Sequence, residues 1–278
     1  MVGSAMAQPV KEPAGTPAEW SKPYAPFRIA GNLYYVGSYD LASYLITTPK
    51  GNILINTGLA SSYSQIQQNM ESLGFRFQDI KILLTTQAHY DHMGAMAAIQ
   101  KSTGARLMAD AREADVLASG GKTDYALGKL GTTYQPVHPD RLLYDGDTIS
   151  LGGMHLVMLH HPGHTKGSCS YLFTVRDEKR SYRVLIANLP TIVTDQPLNS
   201  IKSYPEAVSD FAYTLQAMKK ISFDLWLASH ASQFHLHDKH HPGDTYTPYA
   251  FKDQKGYETA LSELQKAYQE KREQDKKN

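Results

Sequence analysis

The run Thr86-Gln87-Ala88-His89-Tyr90-Asp91-His92-Met93-Gly94 decides how this chain reads. It places two imidazoles, a carboxylate and an amide within six positions, directly after the apolar, strand-like Ile80-Lys81-Ile82-Leu83-Leu84. Polar groups gathered where a buried strand ends are in the usual place for ligands, on a loop held by a rigid scaffold. Nitrogen and oxygen donors of this kind suit a divalent zinc. Two further histidines follow apolar runs in turn-like settings: His164 in His161-Pro162-Gly163-His164-Thr165, and His230 in Leu227-Ala228-Ser229-His230. Together these groups point to a metal-dependent hydrolase.

The rest of the chain can support such a site. Its 278 residues, 41% hydrophobic and 20% charged, suffice for a substantial core. A formal net charge of +1 gives no electrostatic reason to expect nucleic acid or an anionic membrane as partner. No apolar run approaches the ~18 residues needed to span a bilayer. The one cysteine, Cys169, excludes an intramolecular disulfide and a thiolate-rich zinc site; set in Ser168-Cys169-Ser170-Tyr171-Leu172-Phe173, it is expected as a small buried side chain. Met1-Val2-Gly3-Ser4-Ala5-Met6 reads as a vector-derived remnant rather than a targeting segment. Residues 1–26, with Pro9, Pro13, Pro17, Pro23 and Pro26, read as an extended arm, and 27–278 as one domain.

Strand-like runs pair as hairpins. Leu41–Ile46 and Ile53–Ile55 flank Pro49-Lys50-Gly51-Asn52. Thr148–Leu151 and Met154–Leu159 flank Gly152-Gly153, and Tyr171–Val175 and Tyr182–Ile186 flank a charged turn. Ser62 with Gln65, and Ser203 with Glu206, suggest capping boxes ahead of amphipathic helices, the first stopping at Gly74. Tyr257, Leu261, Leu264 and Tyr268 form the apolar stripe of a charged C-terminal helix. Two groups of strands, each followed by helices, suit two packed sheets covered by helices.

The stretch from Leu83 to Gly94 resembles the His-x-His-x-Asp-His-x-x-Gly signature of the metallo-β-lactamase superfamily. Pro162-Gly163-His164-Thr165 looks like that family's second ligand loop, and Ser229-His230 like its last. Within the superfamily the chain is most similar to the class B β-lactamases of the third subclass, of the GOB type. Gly-His-Thr-Lys-Gly-Ser at 163–168, Phe234-x-Leu236-x-x-Lys239 and Gln87 itself carry that likeness. The resemblance implies an α/β fold, an αββα sandwich of two mixed sheets flanked by helices. It implies one or two zinc ions, small-molecule β-lactam substrates, a periplasmic location and a role in antibiotic resistance.

By the same resemblance, Gln87, His89 and His164 would form the first zinc site, and Asp91, His92 and His230 the second. Zinc would bring the pKa of a bound water to about 7, and Asp91 would orient the nucleophile. Because an amide oxygen is a weaker donor than imidazole, the second site is expected to fill first. Thr191 and Lys166 are candidates to meet a substrate carboxylate, and Tyr39, Tyr125 and Tyr134 to line a pocket. The other histidines, His161 foremost among those to check, are expected outside the metal's ligand set.

Two departures stand out. Asn56-Thr57-Gly58 occupies a place where many relatives carry an aspartate, so an outer carboxylate that would orient ligands is missing. Ala187-Asn188-Leu189-Pro190 lacks a bridging aspartate. That absence disfavours the alternative, a related hydrolase of the glyoxalase-two type acting on thioesters or lactones. A purely structural metal module is disfavoured as well, since closed zinc sites complete four protein ligands and favour cysteine.

Overall fold

The computed structural model describes residues 10–276, so the remnant expected at Met1–Met6 lies outside the described residues. Seven strands form the first sheet, in sequence order: β1 (Phe27–Ala30), β2 (Leu33–Tyr35), β3 (Tyr44–Thr48), β4 (Gly51–Ile55), β5 (Ile80–Leu84), β6 (Arg106–Asp110) and β7 (Arg141–Leu143). The second is built from β8 (Thr148–Leu151), β9 (Met154–His160), β10 (Cys169–Arg176), β11 (Ser181–Ala187) and β12 (Leu225–Ala228), in the order β12-β11-β10-β9-β8. Pairs from β4 to β7 are parallel, as is β11 with β12, and the others are antiparallel. The helices are α1 (Ser62–Ser72), α2 (Tyr90–Met93), α3 (Met96–Thr103), α4 (Ala114–Ala118), α5 (Ala207–Met218), α6 (Leu236–Lys239) and α7 (Gln254–Asp275). The helix-flanked, two-sheet sandwich implied by the resemblance is the fold of this chain.

Alternation along the central strands explains the layering. Ile53, Ile55, Ile82 and Leu84 face Tyr171, Phe173, Val184, Ile186 and Leu227 of the second sheet in one buried cluster. Leu54 and Leu83 point the other way, into a second cluster with Ile66 and Met70 of α1 and Met96 and Ile99 of α3. Strands buried on both faces read as continuous apolar runs because successive side chains serve different layers.

Gly152 and Gly153 join β8 to β9 with φ of 54° and 92°, the left-handed conformations that glycine adopts without strain. Elsewhere the structure differs from expectation. The first hairpin strand begins at Tyr44, not Leu41, because the Leu41 N–H donates to Ser38 Oγ at 3.0 Å in a turn, and Leu41 bridges singly to His230. Neither capping box forms. Ser62 lies inside α1 and its hydroxyl accepts from Leu59 N at 3.1 Å, while α5 starts at Ala207 with no side-chain cap. Cys169 is buried, as expected, with Sγ 3.4 Å from the Thr85 carbonyl.

The fold delivers the segments after β5, β9, β11 and β12 to one edge of the sandwich. There the loop after β4 grips the short helix α2. Thr57 N and Oγ1 both donate to the His92 carbonyl (2.9 and 3.0 Å), and Gly94 N donates to Gly58 O at 2.8 Å. A Cβ on Gly94 would meet Ala60 N and Leu59 C at 2.3 Å, a backbone contact that nothing flexible can relieve. Gly94→Ala is therefore expected to destabilise the fold by about 1–3 kcal/mol. Urea denaturation measures this, and a midpoint equal to that of the parent would contradict the close approach.

Candidate metal centre

Each half of the quoted motif is aimed by a different piece of local structure. β5 ends at Leu84, and Thr85 turns the chain by donating Oγ1–H to the Gln87 carbonyl at 2.6 Å. His89 is still extended (φ −84°, ψ 154°) and caps α2, whose first turn carries Asp91 and His92. The change from extended to helical backbone between 89 and 90 separates the directions of His89 and His92. Gln87, His89, Asp91, His92 and His164 are all buried.

The sequence-identified groups meet in two sets. His89 Nδ1 faces His164 Nε2 at 3.1 Å. Asp91 Oδ2 lies 3.2 Å from His92 Nε2 and 3.3 Å from His230 Nε2, and one atom from each of these three residues falls within 4.8 Å of the others. Gln87 Oε1 and both ring nitrogens of His92 are buried without a hydrogen-bond partner.

The outer partners decide which nitrogens are free. His164 Nδ1 donates to the Thr191 carbonyl at 2.8 Å, leaving the Nε2 lone pair towards His89. His230 Nδ1 donates to Asp40 Oδ2 at 3.1 Å, leaving Nε2 towards Asp91, and Asp40 Oδ1 is itself held by Ser232 N at 2.8 Å. His89 Nε2 sits 3.4 Å from Asp124 Oδ1, a long contact without straight hydrogen-bond geometry; that oxygen accepts from Ala126 N and Leu127 N. Thr191, a candidate for substrate contact, thus also orients His164, its hydroxyl lying 2.8 Å from the same Nδ1. Lys166 lines a cavity of about 600 Å³ with Arg112, Lys122 and Thr123.

Without a cation the two imidazoles 3.1 Å apart share one proton-mediated contact, and Asp91 faces His92 and His230. A metal ion among the same atoms would take over these lone pairs and meet the buried Gln87 oxygen. The set of imidazole, carboxylate and amide, without thiolate, suits a borderline divalent ion such as zinc. Burial works to lower the pKa of His164, the positive field of His89 adds to it, and the value falls to about 3, so its nitrogen is available as a donor. Burial would raise Asp91, but the charges and hydrogen bonds of His92 and His230 hold it well below the usual carboxylate range.

The remaining candidates are placed otherwise. His161 is buried with Nδ1 on Ser170 Oγ at 2.7 Å. Tyr125 donates to Gly163 O at 2.9 Å and Tyr134 to Val116 O at 3.2 Å, so both brace loops, while Tyr39 stacks on His237 at 3.7 Å. Sequence reasoning missed Asp40, Asp124 and Trp20. Trp20 belongs to the N-terminal arm and sits 5.5 Å from the His230 ring. None of the three lies in a motif; an acidic residue far along the chain becomes an outer partner only once the fold is known.

The superfamily model described as metallo-β-lactamase matches residues 41–177. The chain is similar to the solved metallo-β-lactamase GOB-18 from Elizabethkingia meningoseptica, with 55% identity, 97% of this chain and 100% of that one covered, and a TM-score of 0.96. It is also similar to the class B3 di-zinc metallo-β-lactamase LRA-12 from an Alaskan soil metagenome, with 63% identity, 94% and 99% covered, and a TM-score of 0.93. A probable metallo-hydrolase of Burkholderia pseudomallei is 30% identical over 117 residues, 41% of this chain and only 37% of that protein.

In metal-free protein, burial opposes protonation of His230, but hydrogen bonds to Asp40 and Asp91 outweigh it and lift its pKa to about 9. A raised folded-state value gives stability that is complete below the ordinary histidine value of about 6.5. That contribution is lost as pH rises through about 9. Asp40→Asn should move the His230 titration, followed by NMR, back towards its ordinary range. An unchanged midpoint would show that Asp40 does not act on the ring.

Proposed function

The chain belongs to the metallo-β-lactamase superfamily, and from that membership we propose that it is a zinc-dependent hydrolase opening the amide bond of β-lactams. The observation that carries the reading is likeness over nearly the whole chain, at 55% and 63% identity, to two solved metallo-β-lactamases. The convergence of His89, Asp91, His92, His164 and His230 at one sheet edge, with the buried Gln87 oxygen left without a partner, supports it. In this reading Gln87, His89 and His164 hold one zinc, and Asp91, His92 and His230 a second. When bound, zinc acidifies water towards neutrality and stabilises the negative charge that develops on a carbonyl under attack.

The chain's own groups supply the rest. His164 and His230 are locked in one tautomer by Thr191 and Asp40, so each presents a lone pair in a fixed direction. Asp91 stays ionised at neutral pH because of its two histidine neighbours. A carboxylate of such low basicity is a poor proton acceptor, which casts Asp91 as the group that orients the attacking water by accepting its hydrogen bond. Lys166, two residues beyond His164, is the candidate cation for a substrate carboxylate. A periplasmic setting and a role in antibiotic resistance belong to the same proposal. Among the described residues, no helix is long and apolar enough to cross a membrane.

The neutral Gln87 distinguishes the two halves. Its oxygen offers no charge and weaker donation than imidazole. The Asp91–His92–His230 half should therefore take zinc first.

Chelation should abolish turnover of a β-lactam, followed by ring-opening absorbance, and zinc should restore it; undiminished hydrolysis by metal-free protein would overturn the function. In a zinc titration of the metal-free protein, Gln87→His should tighten the weaker step and leave the tighter one alone. Unchanged affinity at both steps would remove Gln87 from the ligand set.

A further inference from the structure

Behind the donor set runs a line of four buried side chains, none charged and none a ligand. Asn56 Nδ2 lies 3.1 Å from Thr86 Oγ1, Thr86 Oγ1 lies 2.9 Å from Ser229 Oγ, and Ser229 Oγ donates to Asn188 Oδ1 at 3.1 Å. All four residues are buried. Thr86 directly precedes Gln87 and Ser229 directly precedes His230. The central link therefore joins the backbone that carries Gln87, His89, Asp91 and His92 to the backbone that carries His230, across the two sheets.

Counting protons explains the chemistry of the ends. Three links need three protons, and the two hydroxyls supply two, so one terminal group must donate. Asn56 can do so. Its Oδ1 is fixed by the Thr86 N–H at 2.9 Å, which turns Nδ2 towards Thr86 Oγ1. A carboxylate only accepts, so carboxylates at both ends would leave one link without a proton. Asn56 also holds φ at 62°, a left-handed conformation that asparagine tolerates better than most residues. The amide at 56 thus holds the motif strand through both its nitrogen and its oxygen, the latter also 3.2 Å from Thr86 Oγ1.

We propose that Thr86 and Ser229 form a positioning pair that holds His230 in register with Asp91 and His92. The pair touches no metal itself, and the proposal rests on the zinc-centre reading above. Its distinguishing consequence is selectivity: losing the link weakens zinc binding by the Asp91–His92–His230 half, while the Gln87–His89–His164 half takes no ligand from the loop of Ser229 and keeps its affinity when that hydroxyl is lost.

Calorimetric zinc titration of metal-free protein tests this in two backgrounds. His89→Ala isolates the Asp91–His92–His230 half, and His230→Ala isolates the Gln87–His89–His164 half. Adding Thr86→Val or Ser229→Ala to the first should weaken zinc binding by about 10–100-fold, the usual effect of losing an outer partner, whereas adding Ser229→Ala to the second should leave it unchanged. Thr86→Ser, which keeps the hydroxyl, should restore the affinity. Equal affinities with and without the hydroxyls in the first background, a matching loss in the second, or Thr86→Ser binding as weakly as Thr86→Val, would overturn the pair while leaving the zinc centre standing. If the unsubstituted protein took up no zinc, the zinc-centre reading would fall and the pair with it. Should Thr86→Val not fold, Ser229→Ala compared between the two backgrounds decides the matter alone.

Discussion

Desolvation is the constraint on which this structure turns. His92 is fully buried, and Gln87, His89, Asp91 and His164 are nearly so. Polar groups taken out of water must find partners, and here some find none in the protein: Gln87 Oε1 and His92 Nδ1 stand unmet, while His92 Nε2 has only the Asp91 carboxylate at 3.2 Å. Unsatisfied polar atoms cost roughly 1–3 kcal/mol each. In the proposed reading the donor geometry and the burial belong together, since a bound cation would meet the atoms that the protein leaves without partners.

Outer contacts turn that cavity into a directional one. A free histidine can present either nitrogen, and a metal needs one particular lone pair. The Thr191 carbonyl removes the choice for His164, and Asp40 removes it for His230. Asp124, held by two backbone amides, stands beside His89 on the side away from His164. These partners sit in the segment after β11, the turn before β3 and the loop after α4. The scaffold's apolar layers thus reach into the chemistry through a few hydrogen bonds, and charge in the centre is set by which of those partners are ionised.

Much of this was legible in the sequence, for identifiable reasons. The motif at 86–94 is local, so its donors, its preceding strand and its glycine can be read from neighbours. The Gly152-Gly153 hairpin is equally local. Features that depend on distant pairing were not legible. Asp40 lies 190 positions from His230, and nothing near Asp40 marks it as its partner. The serine signals at 62 and 203 failed because a hydroxyl within reach of several backbone groups chooses among them by tertiary context; Ser62 takes Leu59 N. Asn56 shows a subtler limit. Judged by substitution it reads as a lost carboxylate, whereas its geometry shows an amide using both its donor and its acceptor.

Anomalous diffraction at the zinc edge, from crystals of zinc-loaded protein, tests the central claim most directly. The account requires density between His89 Nδ1 and His164 Nε2, and again among Asp91, His92 and His230, with the second peak the stronger at limiting zinc. No peak at either place, with zinc bound elsewhere on the chain, would contradict it.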